Sequence, residues 1–201
     1  MKLRIRRLSK SLRLLPGSMA LVVLLTSACS SNPELVLSKL DPKTSVTISY
    51  NQSPLAFVRT LSANRANANE HVYLGPVEVN RSGNYRYYIW LASWSTVDSG
   101  AVNRRHDRFE SIEVIADGKP VTLKMTGGST RAIGASEPVY RKPVGWATEV
   151  YYDVTLDQLR MIADATELRV QYSSTRETFE PWDNRLASKA GLMAFLVHSE
   201  F

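Results

Sequence analysis

Cysteine is almost absent from this 201-residue chain, whose single cysteine is Cys29. One cysteine cannot form an internal disulfide, so the fold must depend on the burial of apolar surface. The same scarcity excludes the paired-cysteine motifs of zinc sites and of thiol redox enzymes. Only three histidines are present, and none has the HExxH spacing of a metal site. The sequence therefore predicts neither a metal nor any other cofactor.

Local motifs of the common catalytic folds are also missing. The chain has no Gly-x-Ser-x-Gly elbow and no glycine-rich dinucleotide-binding turn. Gly127-Gly128-Ser129-Thr130 could suggest a phosphate-binding loop, but it lacks the lysine of a P-loop. We therefore interpret it as a simple turn. Because these motifs are absent, we predict no catalytic residues and a protein that is not an enzyme.

Acidic residues are absent from the first 28 positions, which contain six basic residues. The whole chain has 25 basic and 19 acidic residues, which gives a net charge of +6. The six basic residues of the leader account for all of this excess. The remaining chain carries 19 residues of each sign and lacks the positive surface expected of a nucleic-acid-binding protein. We therefore predict no nucleic-acid partner.

A short apolar segment, residues 19–25, follows the basic leader. It is shorter than the roughly 20 residues that span a bilayer, and it matches the apolar core of an export signal. Leu25-Thr26-Ser27-Ala28-Cys29 resembles the lipobox of bacterial lipoproteins. The resemblance implies a signal peptide over residues 1–28, acyl chains such as palmitate on Cys29, and a membrane anchor. The alternative is an ordinary signal cut near Ala28, which would leave a free periplasmic protein.

The residue after the cysteine, Ser30, resembles the outer-membrane default of Gram-negative lipoproteins. This implies a protein on the outer membrane that faces the periplasm. We expect residues 29–43 to form a tether, with an edge strand or a helix at 35–40 as the alternative. Residues 44–201 would then form a single β-rich domain, a length that suits one apolar core.

Alternating apolar and polar residues predict strands through most of this domain. The predicted strands are residues 44–50, 72–81, 85–95, 109–116, 121–125, 147–154 and 168–172. Ser82-Gly83-Asn84 and Asp117-Gly118 predict hairpin turns, whereas the polar residues 64–69 predict a loop. The fold class is therefore mainly β, an antiparallel sandwich or a strongly curved sheet.

Two helices are predicted in the second half of the domain. Thr155 and Gln158 form a capping box at the start of a short helix, at about residues 156–165. Apolar residues at helical spacing in residues 183–201 predict a C-terminal helix, with a strand as the alternative.

Aromatic residues on the strand at 85–95 provide the best candidate ligand surface. Both faces of this strand are apolar, which predicts a central strand covered on both sides. If one face is open, Tyr88, Trp90 and Trp94 are the candidate contact residues, because aromatic rings stack on sugars and on extended peptides. The other interpretation is that these rings fill the core.

His106, Asp107 and Glu110 form the densest polar cluster, and a histidine beside carboxylates can act as a base or ligate a metal. A solvated loop is the simpler interpretation. We expect an envelope accessory protein that is attached to the membrane through Cys29 and binds an envelope protein or a glycan. The alternative function is an envelope hydrolase or metal-binding enzyme that uses the polar cluster.

Overall fold

The computed structural model describes residues 35–61, 68–96, 106–182 and 185–200. The side chains of His106 and of residues 185–187 are not described. The predicted signal peptide, Cys29 and Ser30 lie outside the described residues, as does most of the predicted loop at 64–69.

Ten strands and two α-helices account for most of the described chain. The strands are β1 (Val36–Asp41), β2 (Val46–Asn51), β3 (Leu55–Thr60), β4 (Asn69–Arg81), β5 (Asn84–Ser95), β6 (Ser111–Ala116), β7 (Lys119–Gly127), β8 (Thr148–Asp153), β9 (Leu168–Tyr172) and β10 (Thr178–Pro181). The helices are α1 (Leu156–Asp164) and α2 (Arg185–Ser199), with short 3-10 helices at His106–Phe109 and Thr130–Ile133.

The strands pair antiparallel throughout, and the sheet closes on itself. Eight strands follow one another around a ring in the order β3, β4, β5, β8, β7, β6, β9, β10 and back to β3. The first half of β4 pairs with β3 and its second half with β2, while β5 runs along its other edge. β1 extends the sheet beyond β2. The predicted mainly β fold with a strongly curved antiparallel sheet is thus confirmed.

Both faces of β5 are buried, as its sequence predicts. Ile89 and Leu91 point into the ring, where they join an apolar core that also includes buried residues of α1 and α2. Tyr88 and Trp90 point outward into a second apolar cluster, which residues between Ile133 and Tyr140 complete. The strand therefore lies between two cores.

Local sequence chemistry explains the turns and the helix start. Ser82, Gly83, Asp117 and Gly118 all have positive φ, the conformation that two-residue hairpin turns require. The Thr155 hydroxyl accepts a hydrogen bond from the Gln158 amide, and the Gln158 side chain accepts one from the Thr155 amide. The predicted capping box is confirmed, and α2 shows that the C-terminal segment is a helix and not a strand.

Three strands differ from the sequence prediction. Residues 36–41, predicted as the end of the tether, form the edge strand β1, which is the alternative given for this segment. β3 and β10 were not predicted, because β3 lacks a clear alternation and β10 has only four residues. Within the described ranges, no helix is both long and apolar enough to span a membrane.

Candidate functional site: an aromatic ladder on the outer face

Four aromatic side chains lie in a row on the outer face of the closed sheet. The His71 ring stacks on Trp94, with centroids 4.4 Å apart and an interplanar angle of 17°. The centroid of the His71 ring also lies 4.6 Å from that of Trp182, with the two rings tilted by 57°. Tyr73 meets Trp94 edge-on, with centroids 6.3 Å apart. We call Tyr73, Trp94, His71 and Trp182 the aromatic ladder.

Strand register places these rings next to one another. His71 of β4 lies directly opposite Trp94 of β5, so that their side chains project from the same face. Trp182 follows β10, and its amide donates a hydrogen bond to the Ala56 carbonyl of β3. The ladder thus crosses the sheet from β5 to the end of β10. It is partly open to solvent, because Trp94 is half-buried and Trp182 is 43% exposed.

A groove of about 260 Å³ continues from Trp182 between β3, β9, β10 and the facing ends of α1 and α2. Leu55, Phe57 and Ala165 supply apolar lining. On the rim, the Arg169 Nε atom lies 3.2 Å from the Glu180 carboxylate. An apolar pocket with a few polar groups at its edge has the character of a ligand-binding site.

Lys189 organises the helical side of this groove. Its ammonium group donates a hydrogen bond of 2.8 Å to the carbonyl of Ala165, the residue that caps the C-terminus of α1. A cation at this position also interacts favourably with the negative end of the helix dipole. The contact therefore joins the start of α2 to the end of α1 at the groove.

The environment of His71 favours an uncharged ring. Burial lowers its pKa below the ordinary value, and the neighbouring Glu70 carboxylate only partly opposes this effect. The Nδ1 atom of His71 and the Nε1 atom of Trp94 are buried and make no hydrogen bond to the residues described. The ladder is therefore an apolar aromatic surface with two unsatisfied polar atoms beneath it.

An ion-pair network supports the ladder from inside the ring. Successive residues of a strand face opposite sides, so Glu70 points inward where His71 points outward. The Glu70 carboxylate accepts hydrogen bonds from Arg108 at 2.5 Å and from Arg59 at 2.6 Å. Glu177 contacts both arginines, at 2.9 Å from Arg59 and 3.1 Å from Arg108. The four side chains carry no net charge together.

The predicted ligand surface on β5 is mostly covered. Tyr88 and Trp90 are each 1% exposed and belong to the outer core. The Trp90 indole donates a hydrogen bond of 3.0 Å to Glu149 and stacks on Tyr140, with centroids 4.6 Å apart. Tyr88 and Trp90 are therefore not accessible to a ligand, as a contact role would require. Trp94 alone among the three reaches the surface, and it does so as part of the ladder.

Of the predicted polar cluster, only Asp107 and Glu110 have described side chains, and neither lies in a buried site. The Asp107 and Glu110 side chains are exposed, whereas Arg108 between them is turned into the ion-pair network. Among the described residues, no group of three or more histidine, cysteine, aspartate or glutamate side chains could hold a metal. The sequence reasoning missed His71, Trp182 and the network, because their members are far apart in the chain and share no local pattern.

Comparisons with known proteins give no relative: no family model, no curated protein and no solved structure matches this chain.

Proposed function

We propose that this protein is a lipid-anchored accessory protein of the bacterial envelope, held on the outer membrane by acyl chains on Cys29 and facing the periplasm. The lipobox-like sequence that ends at Cys29 supports the anchor. β1 begins seven residues after Cys29, and seven extended residues reach at most about 25 Å. The folded domain would therefore stay close to the membrane surface, where an envelope partner is within reach.

The aromatic ladder is the observation that carries the binding role. Aromatic rings provide a large contact area at little cost in conformational entropy, and they stack on sugars and on peptide segments. Trp182 joins the ladder to the groove, so that one ligand can contact both. The rim of the groove carries charges of both signs, Arg169 and Glu180, which suits a neutral or zwitterionic partner better than a strongly charged one.

Lipidation is tested by growing cells with labelled palmitate and comparing the natural chain with a Cys29→Ser variant. We expect label on the natural chain, none on the variant, and loss of the variant from the membrane fraction. A natural chain that carries no label and is recovered in the soluble fraction would exclude the lipid anchor and favour a free periplasmic protein.

Partner binding is tested by crosslinking pull-down of the full-length protein from membranes, with Trp182→Ala as the variant. Tyr85→Ala is the matched control, since Tyr85 is another exposed aromatic residue, 51% exposed, at the far end of β5. It lies nine residues from Trp94, about 30 Å along the strand. We expect one envelope protein or peptidoglycan fragment that is lost with Trp182→Ala and retained with Tyr85→Ala. Equal recovery from both variants would contradict a binding role for the ladder.

A further inference from the structure

A second pocket, of about 370 Å³, lies on the outer face at the tip of the β4–β5 hairpin. Three arginines line it: Arg81 at the end of β4, Arg86 near the start of β5, and Arg131 in the 3-10 helix at Thr130–Ile133. None of the described residues that line this pocket is acidic. The pocket therefore has a concentrated positive charge.

Register explains why two of the arginines are close. Arg86 lies opposite Val79 and Arg81 lies opposite Asn84, so that Arg81 and Arg86 occupy diagonal positions on one face. Such diagonal neighbours lie roughly 7 to 8 Å apart, within reach of long side chains. The apolar side of the pocket is formed by Val79 and Tyr88, which belong to the outer core. This core gives the charged side chains a rigid base.

The three arginines have no counter-ion among the residues that the structure describes. All three are exposed, and none of them forms a salt bridge with a carboxylate of the described residues. By contrast, Arg59, Arg108, Arg160, Arg169 and Arg176 each contact at least one carboxylate. Like charges at this spacing repel one another, and a bound anion would relieve that repulsion.

We infer that this pocket, which we call the arginine pocket, binds the phosphate group of an organic phosphate. A guanidinium presents several N–H donors in a plane and binds phosphate oxygens in a bidentate manner. Three such groups match the roughly −1.5 to −2 charge of a phosphate monoester better than the single charge of a carboxylate. A volume of about 370 Å³ lies within the usual range for small-molecule sites, so the pocket has room for more than a bare phosphate ion.

The phosphate could belong to a soluble metabolite or to a lipid headgroup, and two probes distinguish these sources. Glycerol 3-phosphate represents the soluble source, measured by calorimetry. Vesicles that contain phosphatidic acid, compared with vesicles of phosphatidylcholine alone, represent the lipid source, measured by co-sedimentation, because the headgroup of phosphatidic acid is a phosphate monoester. Both use residues 29–201 with Cys29→Ser, the chain that the predicted signal cleavage leaves, so that neither acyl chains nor the basic leader hold the protein on the vesicles.

The variants are Arg86→Gln, Arg131→Gln and the triple variant that adds Arg81→Gln. Arg141→Gln is the matched control, because Arg141 is exposed, lies outside this pocket and has no salt bridge to a described residue. We expect each single change to weaken binding of the responding probe at least tenfold, the triple change to abolish it, and the control to leave it unchanged. Unchanged melting temperatures would show that the variants remain folded.

Binding of glycerol 3-phosphate assigns the pocket to a soluble phosphate, and binding of the phosphatidic acid vesicles alone assigns it to a headgroup. The inference is overturned if neither probe binds, or if the folded triple variant binds within twofold of the natural chain. These outcomes are independent of the aromatic ladder and of the anchor at Cys29.

Discussion

The buried pair of Glu70 and Arg108 allows a quantitative prediction for Glu70→Gln. The two side chains are 1% and 3% exposed, and their nearest atoms are 2.5 Å apart. Removal of one partner from a buried ion pair leaves an uncompensated charge in the interior, which costs about 3–5 kcal/mol of the free energy of unfolding. The Glu70→Gln change should therefore be one of the most damaging single substitutions of a polar residue in this fold.

Two contacts place the expected loss at the lower end of that range. Arg108 keeps Glu177, whose carboxylate lies 3.1 Å away. Arg59 is 24% exposed, so its guanidinium can turn toward water when the Glu70 charge is gone. We expect a loss of about 3 kcal/mol out of a total of about 5–15 kcal/mol. For a domain of this size, the melting temperature should fall by about 6–12 °C.

The assay is urea unfolding followed by circular dichroism, on full-length protein that carries Cys29→Ser. Glu180→Gln is the control, because Arg169 and Glu180 form an exposed pair with side chains 53% and 59% exposed. An exposed pair contributes about 0–1 kcal/mol, so the control should unfold almost as the parent does. The comparison isolates the effect of burial from the effect of losing a carboxylate.

A double variant, Glu70→Gln with Arg108→Met, tests the cause of the loss. It removes both buried charges, and Arg59 and Glu177 remain paired at 2.9 Å. Because no buried charge is then unpaired, we expect the double variant to be more stable than Glu70→Gln alone. The reasoning is refuted if Glu70→Gln costs less than the exposed control, or if the double variant loses as much as the two single variants added together.

Three further predictions concern stability, and all can be checked by thermal unfolding. Hydrogen bonds from the Ser136 hydroxyl and amide lower the pKa of Asp41. Their stabilisation is complete above the ordinary pKa of about 3.9 and is lost as the pH falls, so Asp41→Asn should lower the melting temperature at pH 7 and have a much smaller effect near pH 2. An equal deficit at both pH values would contradict this. A Cβ at Gly75 would lie 2.4 Å from the buried ring of Tyr140, so Gly75→Ala should cost about 1–3 kcal/mol, whereas no loss would show that the ring can move. Thr155→Ala removes the cap of α1 and should cost about 1 kcal/mol, which an unchanged melting temperature would disprove.

The hairpins and the start of α1 could be predicted because their cause lies within a few residues. Asp117 and Gly118 adopt positive φ, and Thr155 and Gln158 exchange two hydrogen bonds across three positions. The strand at 85–95 was also predictable as central, since both of its faces are apolar. The sequence of this strand does not show which other parts of the chain cover each of its two faces.

The candidate site shows where sequence reasoning stops. Trp90 is a core residue only because Tyr140, fifty positions later, stacks on its ring. His71 carried no local signal of a binding role, yet it lies between Trp94 and Trp182. Contacts of this kind depend on strand order and register, which the pattern within one strand does not specify.

The sequence alone therefore determined the class of fold, the hairpin turns and the helix start, because alternation, positive-φ residues and capping residues act over short distances along the chain. It also predicts the export signal and the lipid anchor, which await their own test. Only the tertiary structure decided the closure of the sheet, the aromatic ladder, the ion-pair network around Glu70 and the arginine pocket. Each of these depends on strand pairing between segments that are far apart in the chain, and the residue pattern within one segment does not specify its pairing partner.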